Sequence, residues 1–104
     1  MGEYEEYPVG REKSFVISGN ADVEGIASEL GKALDCEFEL KRTTSDGKPY
    51  GFAGYIPHFL IGGFPRFIND GFVIHPKVRH GLFASHEVEY GVLIDQIRFV
   101  LSSI

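Results

Sequence analysis

Hydrophobic positions repeat along the chain with two different periods, and each change of period marks a new element. Between residues 23 and 34 the apolar positions Val23, Ile26, Ala27, Leu30, Ala33 and Leu34 recur at spacings of three and four, which predicts an amphipathic helix with Glu24, Ser28 and Glu29 facing water. Asn20 or Asp22 is placed to cap it, since a side-chain oxygen there can accept from an otherwise unpaired amide of the first turn. Gly25 and Gly31 lie off the apolar stripe and weaken this helix by about 1 kcal/mol each relative to alanine. The same spacing returns in Tyr90, Leu93, Ile94, Ile97, Val100, Leu101 and Ile104. Ser85 is the expected N-cap of that second helix, with Glu87 and Glu89 in the first turn, where the helix dipole favours negative charge.

Elsewhere the period is two. Residues 14–18 (SFVIS) read as a strand, and residues 36–43 alternate with Cys36, Phe38 and Leu40 on one face and Glu37, Glu39 and Lys41 on the other. Ser45-Asp46-Gly47 is a turn, Asp46 serving its geometry, and residues 48–55 return as a third strand in a hairpin. Gly51 and Gly54 within it mark a bulge or a close backbone approach. Further strands are expected at 59–62 and in a hairpin of 66–68 with 72–75, followed by a loop at 76–81. The run from residue 49 to 65 carries no Asp, Glu, Lys or Arg and five aromatic rings, and is expected to be the buried middle of the sheet. The order β-α-β-β-β-β-α predicts an α+β fold: a single domain with a mostly antiparallel sheet of four to five strands and two helices packed on one side. Residues 1–13 are polar and read as an arm or an edge segment.

With 104 residues, 43% hydrophobic and 24% charged, the chain has the composition of one ordinary soluble domain. Glu3, Glu5, Glu6 and Glu12 leave no apolar core for a signal peptide, and the uncharged central run is shorter than the roughly 20 residues of a spanning helix. A cytoplasmic protein with no membrane association is therefore expected. Cys36 is the single cysteine, which excludes an internal disulfide and a Cys-rich zinc site and reads as an inert thiol. The net charge of −5 is uneven: residues 1–39 carry −7, residues 40–80 carry +4, and the remainder −2. Overall acidity argues against nucleic acid as the partner and fits a basic protein.

Catalytic patterns are sparse. His58, His75, His80 and His86 invite a metal or a general base, but their separations of 17, 5 and 6 match no local ligand motif, so no metal ligand set and no cofactor is expected. There is no G-x-S-x-G, and Gly62-Gly63 is not a phosphate loop because Pro65-Arg66 follows where Gly-Lys-Ser would be needed. Arg42, Lys48, Tyr50, Phe52, Arg66 and Phe67 could stack on single-stranded bases, yet an aromatic core accounts for the same rings.

The stretch from Ser14 to Asp70, with FVISGN, then ELGKAL, then CEFELKRTTSDGKPYGFAGY, resembles small immunity proteins of bacterial polymorphic-toxin and contact-dependent inhibition systems. That resemblance implies a non-enzymatic protein, monomeric or weakly dimeric, that binds a cognate toxin domain, often a basic nuclease, and occludes its active or substrate site. The partner-binding residues expected on this reading are Glu37, Glu39, Asp46, Lys48 and Tyr50, with Glu24 and Glu29 steering approach. The alternatives are a small metal- or ligand-binding domain or enzyme using His75, His80 and His86, and a structural subunit that oligomerises through an exposed strand.

Overall fold

Antiparallel pairing runs through the whole sheet. The computed structural model describes residues 4–18, 22–43, 45–47, 49–66 and 71–103. Along them lie β1 (Tyr4–Val9), β2 (Glu12–Ile17), α1 (Val23–Leu34), β3 (Glu39–Thr43), β4 (Pro49–Ile56), β5 (Phe59–Arg66), β6 (Gly71–Val78), a 3-10 turn at Phe83–Ser85, and α2 (Glu87–Ser103). The strands form one sheet in the order β1-β2-β6-β5-β4-β3. The α+β architecture is as expected, with six strands in place of four or five.

The added strand comes from the polar opening, where β1 pairs with β2 from Tyr4↔Ile17 to Val9↔Glu12 and forms one edge. Its charge hides its pattern, because Glu6 lies on the helix-covered side. There Arg98 of α2 donates from Nε and Nη2 to the two Glu6 oxygens, both at 2.9 Å, and Lys13 Nζ stands 3.0 Å away. Arg98 above all holds the Glu6 carboxyl down to about 2 from its ordinary 4.5, against the opposing pull of burial and with help from Lys13. A depressed carboxyl contributes stability that is complete above the unfolded value and lost as pH falls through the folded one. After solvent screening the contribution is on the order of 1–2 kcal/mol. Acid titrations of urea unfolding should therefore show Glu6→Gln losing less stability than wild type between about 4.5 and about 2. Parallel curves would exclude Glu6 as the source.

Strand register sorts side chains onto two faces. Phe15, Phe52, Phe59, Ile61, Phe72, Ile74 and Val78 project to one side, where they enclose a core with Ile26, Ala27 and Leu30 of α1 and Tyr90, Leu93, Ile94, Ile97, Val100 and Leu101 of α2. Both apolar helix stripes thus face the core at their expected positions, with Val23 and Leu34 half-buried at the ends of α1, except that Ala33 is exposed and Ile104 lies outside the described residues. Gly63 faces this core, and a Cβ there would stand 2.4 Å from the Phe52 ring and 2.8 Å from that of Phe72, so the missing side chain lets the two rings meet. Tyr90 ties α2 to the sheet: its Oη accepts from Lys13 N at 2.8 Å and donates to Pro76 O at 3.1 Å.

Three local expectations are corrected. The strand expected at 59–62 is longer: β5 continues through Pro65 to Arg66, the first residue of the expected next arm, whose residues 67 and 68 lie outside the described residues. β6 runs to Val78, so Pro76 is a buried strand residue opposite Ile61 and not the start of a loop. Proline brings no ladder donor, but its ring is fully buried here. Ser85 belongs to the 3-10 turn; α2 begins at Glu87, with Tyr90 N donating to His86 O at 2.9 Å.

Among the described residues, no helix lies on the opposite face of the sheet. Ser14, Val16, Ala53, Tyr55, Leu60, Phe64, Val73, His75 and Lys77 lie on it by register. Half of the uncharged central run is therefore not interior: Tyr55 is 65% and Phe64 43% exposed. The Phe64 ring lies over Gly51 and Gly62, at 2.7 and 2.8 Å from where their Cβ atoms would be. The Phe38 ring makes the same kind of approach to Gly54 on the core side, which accounts for the strand glycines by close contact.

Candidate functional site

α1 and the chain that leaves it enclose an acidic groove. Asp22 caps the helix by accepting from Gly25 N at 3.1 Å, and Asp35 ends it in the left-handed region, at φ +53°. Cys36 N then donates to Gly31 O at 3.0 Å, turning the chain back along the helix towards β3. A Cβ on Gly31 would stand 2.8 Å from the Cys36 carbonyl oxygen, so this helix glycine is what permits the tight return. The resulting groove has a volume of about 630 Å³. Ala27, Phe38 and Leu40 give it an apolar lining; Glu24, Asp35 and Glu37 surround it, and Lys32 is the one base among its lining residues. Residues 22–38 hold five acids against Lys32, a balance of −4. Lys32 is itself 3.5 Å from Glu29, which leaves the field of the groove negative.

The Cys36 thiol lines the same groove. Burial first, and then the neighbouring Asp35 carboxylate, pushes its pKa up, the opposite of what a nucleophile or thiolate ligand needs.

The expected partner-binding residues separate in space. Glu24 of α1 and Glu37 of the link between α1 and β3 both line the groove. Glu29 is exposed on α1 beside Lys32. Glu39 sits on the helix-free face, because its neighbour Leu40 pairs with core-facing Phe52, and Lys41 Nζ stands 3.1 Å from its carboxylate. Asp46 is exposed in the β3–β4 turn, Tyr50 is half-buried at the start of β4, and Lys48 lies outside the described residues. Of the base-stacking set, Phe52 is fully buried and Phe67 lies outside the described residues. Alternation along a strand was the signal that grouped Glu37 with Glu39; it fails because β3 begins only at Glu39.

The histidines also part company. His75 lies on the helix-free sheet face, where its Nδ1 shares a 2.7 Å hydrogen bond with Ser14 Oγ and its Nε2 is 3.8 Å from Glu12 Oε2. This has the residue types of a nucleophilic triad but not its geometry, since Ser14 is buried in mid-strand and the carboxylate lies beyond hydrogen-bond range. His80 is exposed in the loop after β6. His86 instead meets His58: their rings stack with centroids 3.6 Å apart and planes inclined by 15°. His86 Nδ1 is 2.5 Å from Glu89 Oε2, and one ligand atom from each of His58, His86 and Glu89 falls within 4.8 Å of the others. Among the described residues this is the group with the donors and spacing to hold a metal ion. His58 and Glu89 are 31 positions apart in sequence, so no local motif could have revealed them.

No helix among the described residues is long and apolar enough to cross a membrane. Comparison with protein-family models, with curated proteins and with solved structures finds no match for this chain.

Proposed function

We propose that the protein is a non-enzymatic binding module that captures a basic protein domain in the groove between α1 and β3, in the manner of an immunity protein that occludes a cognate bacterial toxin, often a nuclease. The observation that carries this reading is the convergence of Glu24, Asp35 and Glu37 around an apolar floor that includes half-exposed Leu40. Apolar contact supplies affinity at the centre of an interface, while the surrounding charge selects the partner and speeds encounter. The adjoining edge strand β3 extends the surface beyond the groove. Such a contact needs on the order of 800 Å² from each side, so the groove is its centre and not its whole extent. Glu29 on the outer side of α1 adds to the long-range field; Glu39 and Asp46 belong to the margin near β3.

Affinity capture with the purified chain from its native host tests the proposal. The expected result is a basic protein domain that is retained at low salt, released as salt rises, and not retained by the Glu24→Lys/Glu37→Lys variant. Retention of the same domain by that variant would refute the groove as the contact.

A further inference from the structure

We infer that His58, His86 and Glu89 form a binding site for one first-row divalent transition ion, zinc by preference. The donor set is two imidazole nitrogens and one carboxylate oxygen, the combination that suits zinc and its neighbours and disfavours magnesium and calcium. Ligand atoms on a tetrahedral zinc lie about 3.3 Å apart. The three side chains already bring theirs within 4.8 Å, so side-chain rotation alone closes the set. A fourth position stays open to water or to a donor from a bound partner.

Both histidine backbones are fixed in advance. Ile56 pairs with Phe59, which makes Pro57-His58 a two-residue hairpin turn, and His58 takes φ +70° there. The position after proline in such a turn is the usual place of glycine or asparagine, and a histidine holds it only under strain. Strained backbone of this kind clusters at functional sites. The turn is pinned from outside by Arg79 N, which donates to His58 O at 2.9 Å. His86 is held between two bonds, its N donating to Phe83 O at 3.1 Å and its O accepting from Tyr90 N at 2.9 Å. Its side chain is 18% exposed, whereas that of Glu89 is 57% exposed and can swing from His86 Nδ1 onto an ion.

The test is zinc titration of the full chain by calorimetry, with cobalt as a spectroscopic stand-in. Wild type should bind one zinc per chain, resist competition by magnesium, show cobalt d–d bands of a low-coordinate site, and gain thermal stability with zinc. His58→Gly should weaken zinc binding by at least the roughly 10–100-fold that loss of an outer-shell partner costs. Because glycine is at ease at positive φ, the same variant should be no less stable than wild type without metal, which separates ligation from folding. His86→Ala should lose binding equally. The inference is overturned if wild type shows no saturable zinc binding, if both variants bind as wild type does, or if cobalt shows thiolate charge transfer, which would place the metal on Cys36. None of these outcomes depends on Glu24 or Glu37, so the groove and the metal site stand or fall separately.

Discussion

Phe52→Ala should cost about 3–5 kcal/mol of folding stability, the range for removing a large buried aromatic side chain. Phe52 is 0% exposed, and its ring lies 5.1 Å from that of Phe38 and 5.7 Å from that of Phe72. It also covers Gly63, where no Cβ exists to move into the space it would leave. The cavity would thus open in the centre of the sheet, between β4, β5 and β6. A domain of this size has only about 5–15 kcal/mol in total, so the variant should show a sharply lower urea midpoint with an unchanged slope. Circular dichroism is the suitable probe, because the chain contains no tryptophan. Phe99→Ala is the control: Phe99 is 73% exposed on α2, and its loss should stay within about 0.5 kcal/mol. Similar losses in the two variants would mean that Phe52 is not at the centre of the core.

Reversing Glu24 and Glu37 together should slow capture of a basic partner by about 10–100-fold at low salt, since steering by complementary charge changes association rates on that scale. The change converts two acids at the groove into bases beside Lys32, so the balance of −4 over residues 22–38 is cancelled while the apolar lining is untouched. Both side chains are exposed, and thermal stability should hardly move. The effect should shrink as salt is added, because the Debye length falls from about 10 Å at 0.1 M to about 3 Å at 1 M. Glu39→Lys is the informative contrast. Glu39 lies on the other face of the sheet beside Lys41, and its reversal should have a much smaller effect on the rate. Equal effects from the two reversals would favour a diffuse charge term over a groove contact.

How far the fold could be read from the sequence depended on whether the signal was local. The helical stripes of α1 and α2 rest on i, i+3, i+4 repetition and appear at the expected residues, and Asp22 caps as its type predicts. β1 was harder to recognise because Glu6 occupies the inward side of the strand. The group that makes this tolerable, Arg98, is 92 residues away. Prolines misled for a related reason. Pro65 and Pro76 suggest strand ends by their missing donor, yet both lie inside central strands, and the Pro76 ring belongs to the core. The uncharged middle segment lies in the sheet as its composition predicts, but its period of two also sends Tyr55 and Phe64 to the uncovered face.

The site was legible only in part. The acidic bias of the first third points to Glu24, Glu29, Glu37 and Glu39 alike, while the return of the chain past Gly31 that sets Glu24 and Glu37 at one groove depends on a carbonyl contact 2.8 Å from an absent Cβ. Likewise, His58 and His86 stack because a two-residue turn and the start of α2 meet in space. Neither distance has a sequence correlate in a single chain.

Hydrogen–deuterium exchange of the chain with and without its captured partner tests the central claim most directly. Binding in the groove predicts new protection concentrated in Val23–Leu34 and Glu39–Thr43, with the edge strand Tyr4–Val9 unchanged. Protection confined to the helix-free sheet face, in the strands that carry Tyr55, Phe64 and Lys77, with none on α1, would contradict it.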